Sequence, residues 1–429
     1  MQQLLASGLA VGGLDMCRRT GRVTLRRKPS WWRGSMRVFF NDEEWAFRDE
    51  VRNFIRTNLP GELAEKTRQS IHLSRADVAR WHHILHERGW SVPHWPSEYG
   101  GQDWTPLQRY LFESECAQAD APPLSVFGMY LVGPTIYTFG TADQKSRFLP
   151  GIISGRAFWC QGYSETEAGS DLAKVRTTAR KVDGGYILNG SKAWTTEGHI
   201  ADYMICLART NPGVKPQAGL SLFVVDMKAD GVSMQPVMTI DGCHSVNTTF
   251  LDSVFLPEDA LIGEVDRGWG YAKFLLSHER TNNAQVHRSR REFDRLVDLA
   301  RRTLDALGSP LLSDPVLGSR FSALEAQLNA LEVTILRVLS DQAEQREPGP
   351  EASIVKVIGS ELQQQISELA MEMLGEQGIC LTPFGDDAAS QEATGWIERH
   401  LYRRVVTIYA GANEIQKNLI ARNILGMQS

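Results

Sequence analysis

Residues 161–172 read Gln161-Gly162-Tyr163-Ser164-Glu165-Thr166-Glu167-Ala168-Gly169-Ser170-Asp171-Leu172, and residues 188–196 read Leu188-Asn189-Gly190-Ser191-Lys192-Ala193-Trp194-Thr195-Thr196. The first stretch is rich in small residues, hydroxyls and free backbone amides. The second ends a β-rich run on Trp-Thr-Thr. Together they suit a flat heteroaromatic ligand, which needs an apolar surface for its face and hydrogen bonds at its rim. Taken alone they fit better a Gly/Ser turn followed by a core tryptophan. The chain on either side has to decide.

Upstream, the spacing is helical from Met36 to about Gly155. Asn41 can cap a helix with Glu44 reaching back to it, and Phe47, Val51, Phe54 and Ile55 form one apolar stripe that ends at Pro60-Gly61. Arg75 to Arg88 and Leu107 to Gln118 predict further helices, separated by the turn-rich Pro93 to Gly101. Thr141 with Gln144 makes a second capping box, opening a helix expected to stop at Pro150-Gly151.

The period then drops to two. Thr177 to Val182 and Tyr186 to Asn189 flank Asp183-Gly184-Gly185, a hairpin signal, and Tyr203 to Ala208, Leu220 to Met227 and Val246 to Phe255 continue as strands. After Gly268 helical spacing returns, with Phe321, Leu324, Leu328, Leu331 and Ile335 in one segment and Ile354, Ile358, Leu362, Ile366, Leu369 and Met373 in the next. The order predicts an α+β multidomain protein: an N-terminal helical domain over residues 36–155, a middle β domain over 156–266 and a C-terminal helical bundle over 267–429. Residues 1–35 carry Arg18, Arg19, Arg22, Arg26, Arg27, Lys28 and Arg33 against the single acid Asp15, without a periodic apolar face, and read as a nonstructural leader.

Composition narrows the function. With 42% hydrophobic residues, 23% charged residues and a net charge of −5, the chain is globular and lacks the basic excess of a nucleic-acid binder. Cys17, Cys116, Cys160, Cys206, Cys243 and Cys380 are scattered singly, without metal-ligand spacing, so no metal is expected and the thiols read as reduced in a cytoplasmic setting. No apolar run has the length of a transmembrane segment.

The two opening stretches, in this order between helical regions, resemble the acyl-CoA dehydrogenase family. The likeness continues through Gly140-Thr141-Ala142-Asp143-Gln144-Lys145, Phe255-Leu256-Pro257-Glu258, Leu261-Ile262-Gly263 and Ile408-Tyr409-Ala410-Gly411-Ala412-Asn413-Glu414-Ile415-Gln416. It is nearest to the bacterial pimeloyl-CoA dehydrogenase large-subunit type, through Trp159 to Glu165 and His278-Glu279-Arg280-Thr281.

The resemblance implies FAD as cofactor, an acyl-CoA substrate oxidised to the trans-2-enoyl thioester, and an electron-transfer flavoprotein or similar acceptor. It implies a homo-oligomer or a heterotetramer with a second dehydrogenase-like chain. It assigns Tyr163, Ser164, Thr195 and Thr196 to the flavin edge, Trp194 to its face, and Ser170, Arg280 and Gly411 to substrate. Glu372, Gly375, Glu376, Glu414 and Gln416 fall where a neighbouring subunit supports the dinucleotide.

Two departures qualify this. Residues 307–315, Leu307-Gly308-Ser309-Pro310-Leu311-Leu312-Ser313-Asp314-Pro315, replace an Arg and Phe-Gly that many members use for the adjacent subunit's FAD. The commonest position of the catalytic base holds Ala410, whose methyl cannot take a proton. Long-chain and isovaleryl relatives carry the glutamate on another helix, directly before an arginine, and Glu279-Arg280 matches that arrangement. Ala410 then contributes its backbone N–H to the thioester carbonyl. Two further readings stay open: a non-catalytic or FAD-sharing subunit of a heteromeric dehydrogenase, and a flavin oxidase or monooxygenase on the same fold.

Overall fold

A computed structural model describes residues 40–124, 127–279, 284–343, 351–381 and 388–427, without the side chains of 275–279, 341–343 and 388–391. The expected leader lies outside the described residues. Residues Val38–Ser429 form one compact unit.

The N-terminal helices are α1 (Asp42–Asn58), α2 (Gly61–Arg68), α3 (Arg75–Glu87), α4 (Pro106–Gln118), α5 (Gly133–Phe139) and α6 (Ala142–Ile153). Both expected capping boxes form: Asn41 with Glu44 opens α1 and Thr141 with Gln144 opens α6. Ser74 with Asp77 and Thr105 with Gln108 cap α3 and α4 in the same way. A π-helical turn, Phe127–Val132, leads into α5. The stop expected at Pro150-Gly151 is corrected, because α6 runs through Pro150 to Ile153. Proline removes one backbone donor there, but Phe148, Leu149 and Ile152 are buried in the core that joins these helices to the sheet, and their packing outweighs the loss.

The sheet has eight strands: β1 (Trp159–Gly162), β2 (Thr178–Val182), β3 (Gly185–Lys192), β4 (Tyr203–Arg209), β5 (Leu220–Asp226), β6 (Val232–Met238), β7 (His244–Pro257) and β8 (Leu261–Ile262). They follow the order β6-β7-β3-β2-β4-β5-β8, with β1 lying parallel against β4. The hairpin turn is Asp183-Gly184, with Val182 paired to Gly185 and Gly184 at φ +75°. Strands β1, β6 and β8 escape the period-two reading because they are very short or, in β6, have no fully buried residue.

The C-terminal region contains α7 (Gly268–Glu279), α8 (Val286–Arg302), α9 (Pro315–Ala343), α10 (Glu351–Leu374), α11 (Ala388–Tyr402) and α12 (Asn413–Asn423). Leu296, Leu328, Ile335, Leu362, Ile366 and Trp396 close its core. One face of the sheet shares a core with α5, α6 and α7 through Ile136, Phe148, Ile205, Leu222 and Ala272. Buried charge ties the bundle back to the first domain, where Asp120 accepts from Arg291 at 2.9 Å and from Arg295, and braces the bundle internally, where Glu292 accepts from Arg403 at 2.6 Å. Burial opposes both carboxylates, yet the adjacent arginines hold them below their ordinary pKa.

Candidate active site

The two motif stretches meet at the end of β1 and β3. Ala193 N donates to Ser164 O at 2.9 Å, which brings Tyr163-Ser164 alongside Trp194-Thr195-Thr196. Beneath the junction lies Lys192, fully buried, donating to Tyr163 O at 3.2 Å, Leu207 O at 2.7 Å and Glu165 Oε1 at 2.8 Å. Glu165 also accepts from Arg176 N at 2.6 Å, Thr177 N at 3.0 Å and Thr177 Oγ1 at 2.6 Å. Burial works against this carboxylate, but the Lys192 charge and these donors keep its pKa below the usual range. The pair is a satisfied ionic rivet holding one loop against the other.

Gly190 makes that closeness possible. Its φ is +151°, and a Cβ there would sit 2.5 Å from Thr177 Oγ1 and 2.7 Å from Thr177 Cα.

Trp194 stands at the strand end with φ +59° and 62% of its surface exposed. Glu197, three residues on, is also left-handed at φ +55°. A bulky residue held at positive φ needs external support. Asn247 on β7 supplies it: its backbone exchanges bonds with Thr195 at 2.8 and 3.1 Å, and its Nδ2 donates to Thr195 O at 3.0 Å. Thr249 Oγ1 adds a bond to Thr195 Oγ1 at 3.0 Å. On β1, the Nε2 of Gln161 is buried without a hydrogen-bond partner among the described residues. An exposed indole on a clamped turn and an unmet buried donor two residues from Tyr163 fit a flat ligand with acceptors on its rim.

A second group forms on the bundle. Ala410 has φ +53° and Gly411 φ +87°. A Cβ on Gly411 would lie 2.4 Å from Gln416 Nε2, so the glycine admits both the turn and the Gln416 side chain. The loop is closed by Asn413 N donating to Thr407 O at 2.9 Å. Asn413 Oδ1 accepts from the buried Lys356 at 2.8 Å and from Ser360 Oγ at 3.1 Å. Burial pushes the Lys356 pKa down to about 8, with the Glu414 charge opposing.

The remaining expected residues are dispersed. Ser170 is exposed beyond the tight turn closed by Glu165 and Ala168. Glu372 is engaged within the chain, accepting from Arg320 at 2.8 Å, and Gly375 follows at φ +53° before the exposed Glu376. Glu414 and Gln416 lie on α12, beside the N-terminal half of α10, where Asn413 meets Lys356 and Lys417 meets Glu361 at 3.3 Å. With 1.5 Å of rise per helical residue, Glu372 is roughly 24 Å along α10 from Lys356, which holds Asn413. Glu279 closes α7, but its side chain, and all of Arg280, lie outside the described residues.

Lys192, Glu165 and Asn247 are site residues that motif reading passes over. Alternation along β3 through Tyr186, Leu188 and Gly190 does turn Lys192 inward, so a signal for the buried lysine exists in the sequence.

The acyl-CoA dehydrogenase N-terminal, middle and C-terminal domain models match residues 41–156, 160–253 and 266–425. Acyl-CoA dehydrogenase IpdE1 of Mycobacterium tuberculosis is 35% identical over 393 residues, covering 89% of this chain and 97% of that protein. The ChsE4-ChsE5 complex from Mycobacterium tuberculosis contains a chain of similar structure, with a TM-score of 0.80 and 30% identity over 92% of this chain and 100% of that one. The Tcur3481-Tcur3483 steroid acyl-CoA dehydrogenase gives a TM-score of 0.81 at 27% identity, over 92% and 100% of the two chains. The chain belongs to the acyl-CoA dehydrogenase family. It is an oxidoreductase of the flavoprotein class, with FAD as its cofactor. Among the described residues, no helix is long and apolar enough to cross a membrane.

Proposed function

We propose that this chain is the catalytic, flavin-binding member of an acyl-CoA dehydrogenase assembly, converting a bulky acyl-CoA to its trans-2-enoyl thioester. The observation that carries the reading is the junction of Tyr163-Ser164 with Trp194-Thr196, braced by Lys192 and Asn247. Tyr163, Ser164 and Thr196 line the flavin edge and Trp194 covers its face, whereas Thr195, expected at that edge, is fully buried and bonded to Asn247 and Thr249, and so fixes the turn from beneath. Ser170 and Arg280 contact the coenzyme A portion of the substrate. FAD, when bound, supplies the acceptor for the hydride that leaves the β carbon.

The chain's own residues perform the rest. An α-hydrogen of a thioester is weakly acidic, so its removal needs a carboxylate in contact and stabilisation of the developing enolate charge. Glu279 takes the proton. The N–H of Ala410, on a left-handed loop fastened through Asn413 to Lys356, donates to the thioester oxygen. Gly411 lets the substrate approach.

The neighbouring chain is part of the proposal. Glu372, Gly375 and Glu376 at one end of α10, and Glu414 and Gln416 near the other, support dinucleotides across subunit contacts. Glu372 does so beside Arg320. Ile408, Ile415, Ile424, Leu425 and Met427 are exposed in the region of α12, which supports an apolar contact there. The two-chain composition of the ChsE4-ChsE5 relative favours a heteromer, and the steroid-directed relative favours a bulky acyl group. Electrons leave to an electron-transfer flavoprotein or similar acceptor, and the setting is cytoplasmic.

Ala410 favours one other reading, an FAD-sharing subunit without catalysis. Anaerobic titration of the purified assembly with straight-chain, dicarboxylyl and cyclic acyl-CoA compounds tests both. Bleaching of the flavin by an acyl-CoA supports the catalytic reading. A flavin that stays oxidised with every bound thioester refutes it, and rapid reaction of reduced protein with oxygen marks an oxidase.

A further inference from the structure

A polar cluster unused by this chemistry lies where α4, the π-helical turn and α8 meet. Tyr130 Oη donates to Glu113 Oε1 at 3.1 Å, and His287 Nε2 stands 3.7 Å from Glu113 Oε2. His94 stacks on Tyr130 with ring centroids 4.3 Å apart and donates from Nε2 to Met129 O at 3.1 Å. Burial raises the Glu113 pKa, against the Tyr130 hydrogen bond and the Arg109 charge, and burial holds His287 down to about 3. The cluster is a neutral imidazole and a reluctant acid around a phenol.

Two features separate it from an ordinary packing contact. The α4–α8 seam already has its ties elsewhere, through Asp120 with Arg291 and through Gln118 with Asp294 at 3.4 Å. Glu113 nevertheless keeps 37% of its side-chain surface accessible while burial disfavours its charged form, so the side chain is within reach of a ligand although its surroundings are poorly hydrated. The cluster adjoins the helix on which the base is proposed: α7, which ends at Glu279, packs on the helical turn that carries Tyr130, and His287 is the second residue of α8.

Resting on the acyl-CoA reading above, we propose that Glu113 and Tyr130, with His287, form a polar wall of the acyl site and bind an acyl group carrying an uncharged oxygen, a hydroxyl or ketone. Such an oxygen replaces water on Glu113 with a hydrogen bond. An alkyl group would strip that water and return nothing. An acyl carboxylate would bring a charge into surroundings that already disfavour the charged form of Glu113.

The test uses the flavin-loaded full-length protein and four kinds of probe. These are the 3-(hydroxycyclohexyl)propanoyl-CoA and 3-(oxocyclohexyl)propanoyl-CoA regioisomers, 3-cyclohexylpropanoyl-CoA and 3-(4-carboxycyclohexyl)propanoyl-CoA. Dissociation constants come from flavin absorbance changes. At least one oxygenated isomer should bind about 10- to 100-fold more tightly than the unsubstituted compound. Glu113→Leu should erase that ratio, Tyr130→Phe reduce it, and Glu113→Gln, which keeps hydrogen-bonding capacity, retain most of it. Equal binding of the oxygenated and unsubstituted probes, tightest binding of the carboxylate, or a ratio unchanged by Glu113→Leu overturns the proposal while leaving the acyl-CoA reading intact. Failure of every probe to bind while a straight-chain acyl-CoA binds overturns the proposal alone, and failure of the straight-chain compound as well overturns both.

Discussion

Replacing Lys192 with Met removes the fully buried positive half of a pair whose carboxylate, Glu165, is itself largely buried and stays in place. Breaking a buried ion pair from one side costs about 3–5 kcal/mol, because the remaining charge has lost its counterion but not its burial. Glu165 retains Thr177 and the Arg176 backbone as donors, which places the cost near the lower figure, about 3 kcal/mol. The strain falls on the Tyr163-Ser164 loop, since Lys192 also loses its bonds to Tyr163 O and Leu207 O. If the loop opens by that amount, the competent conformation is depleted and FAD affinity drops by about 100-fold. Equilibrium dialysis of the apoprotein against FAD measures this. Adding Glu165→Gln removes the stranded charge, so the double variant should recover at least about tenfold. An unchanged FAD affinity in Lys192→Met, or a double variant worse than the single, would refute the rivet.

Gly190→Ala should cost about 1–3 kcal/mol and lower flavin content, because its methyl collides with Thr177, a partner of Glu165; refolding yield and the flavin-to-protein absorbance ratio report it. His82 is buried with Nε2 3.0 Å from Ile153 O, and burial holds its pKa down to about 4. The unfolded chain therefore binds this proton first as pH falls from about 6.5 towards about 4, and up to about 3 kcal/mol of stability is lost across that window. His82→Gln should flatten that part of the profile of melting temperature against pH. Ile415→Asp combined with Leu425→Asp should shift the mass seen by light scattering towards the single chain and release FAD. A single chain that keeps its flavin contradicts the shared site.

Much of this architecture was legible in the sequence because its signals are local. Asn41-Glu44 and Thr141-Gln144 carry their caps within four residues, and Asp183-Gly184 specifies its hairpin within two. Pro150 misled because its helix persists through packing made by Phe148, Leu149 and Ile152, which no local rule weighs. The same holds for the site. Trp194 and the Ala410-Gly411 turn stand out by residue type, whereas their supports, Asn247 and Lys356, look like ordinary polar residues until the fold buries them. Glu113 and Tyr130 are 17 residues apart and become a pair only when the π-helical turn folds back on α4.

The central claim is that a carboxylate at the end of α7 removes the substrate's α-proton. Anaerobic stopped-flow reduction of the flavin, compared between the wild-type protein and Glu279→Gln with the same saturating acyl-CoA, measures that step alone. The account predicts retained FAD and substrate binding with reduction slowed by at least about 100-fold, the scale of a lost general base. Near-normal reduction by Glu279→Gln, with binding confirmed, would contradict it.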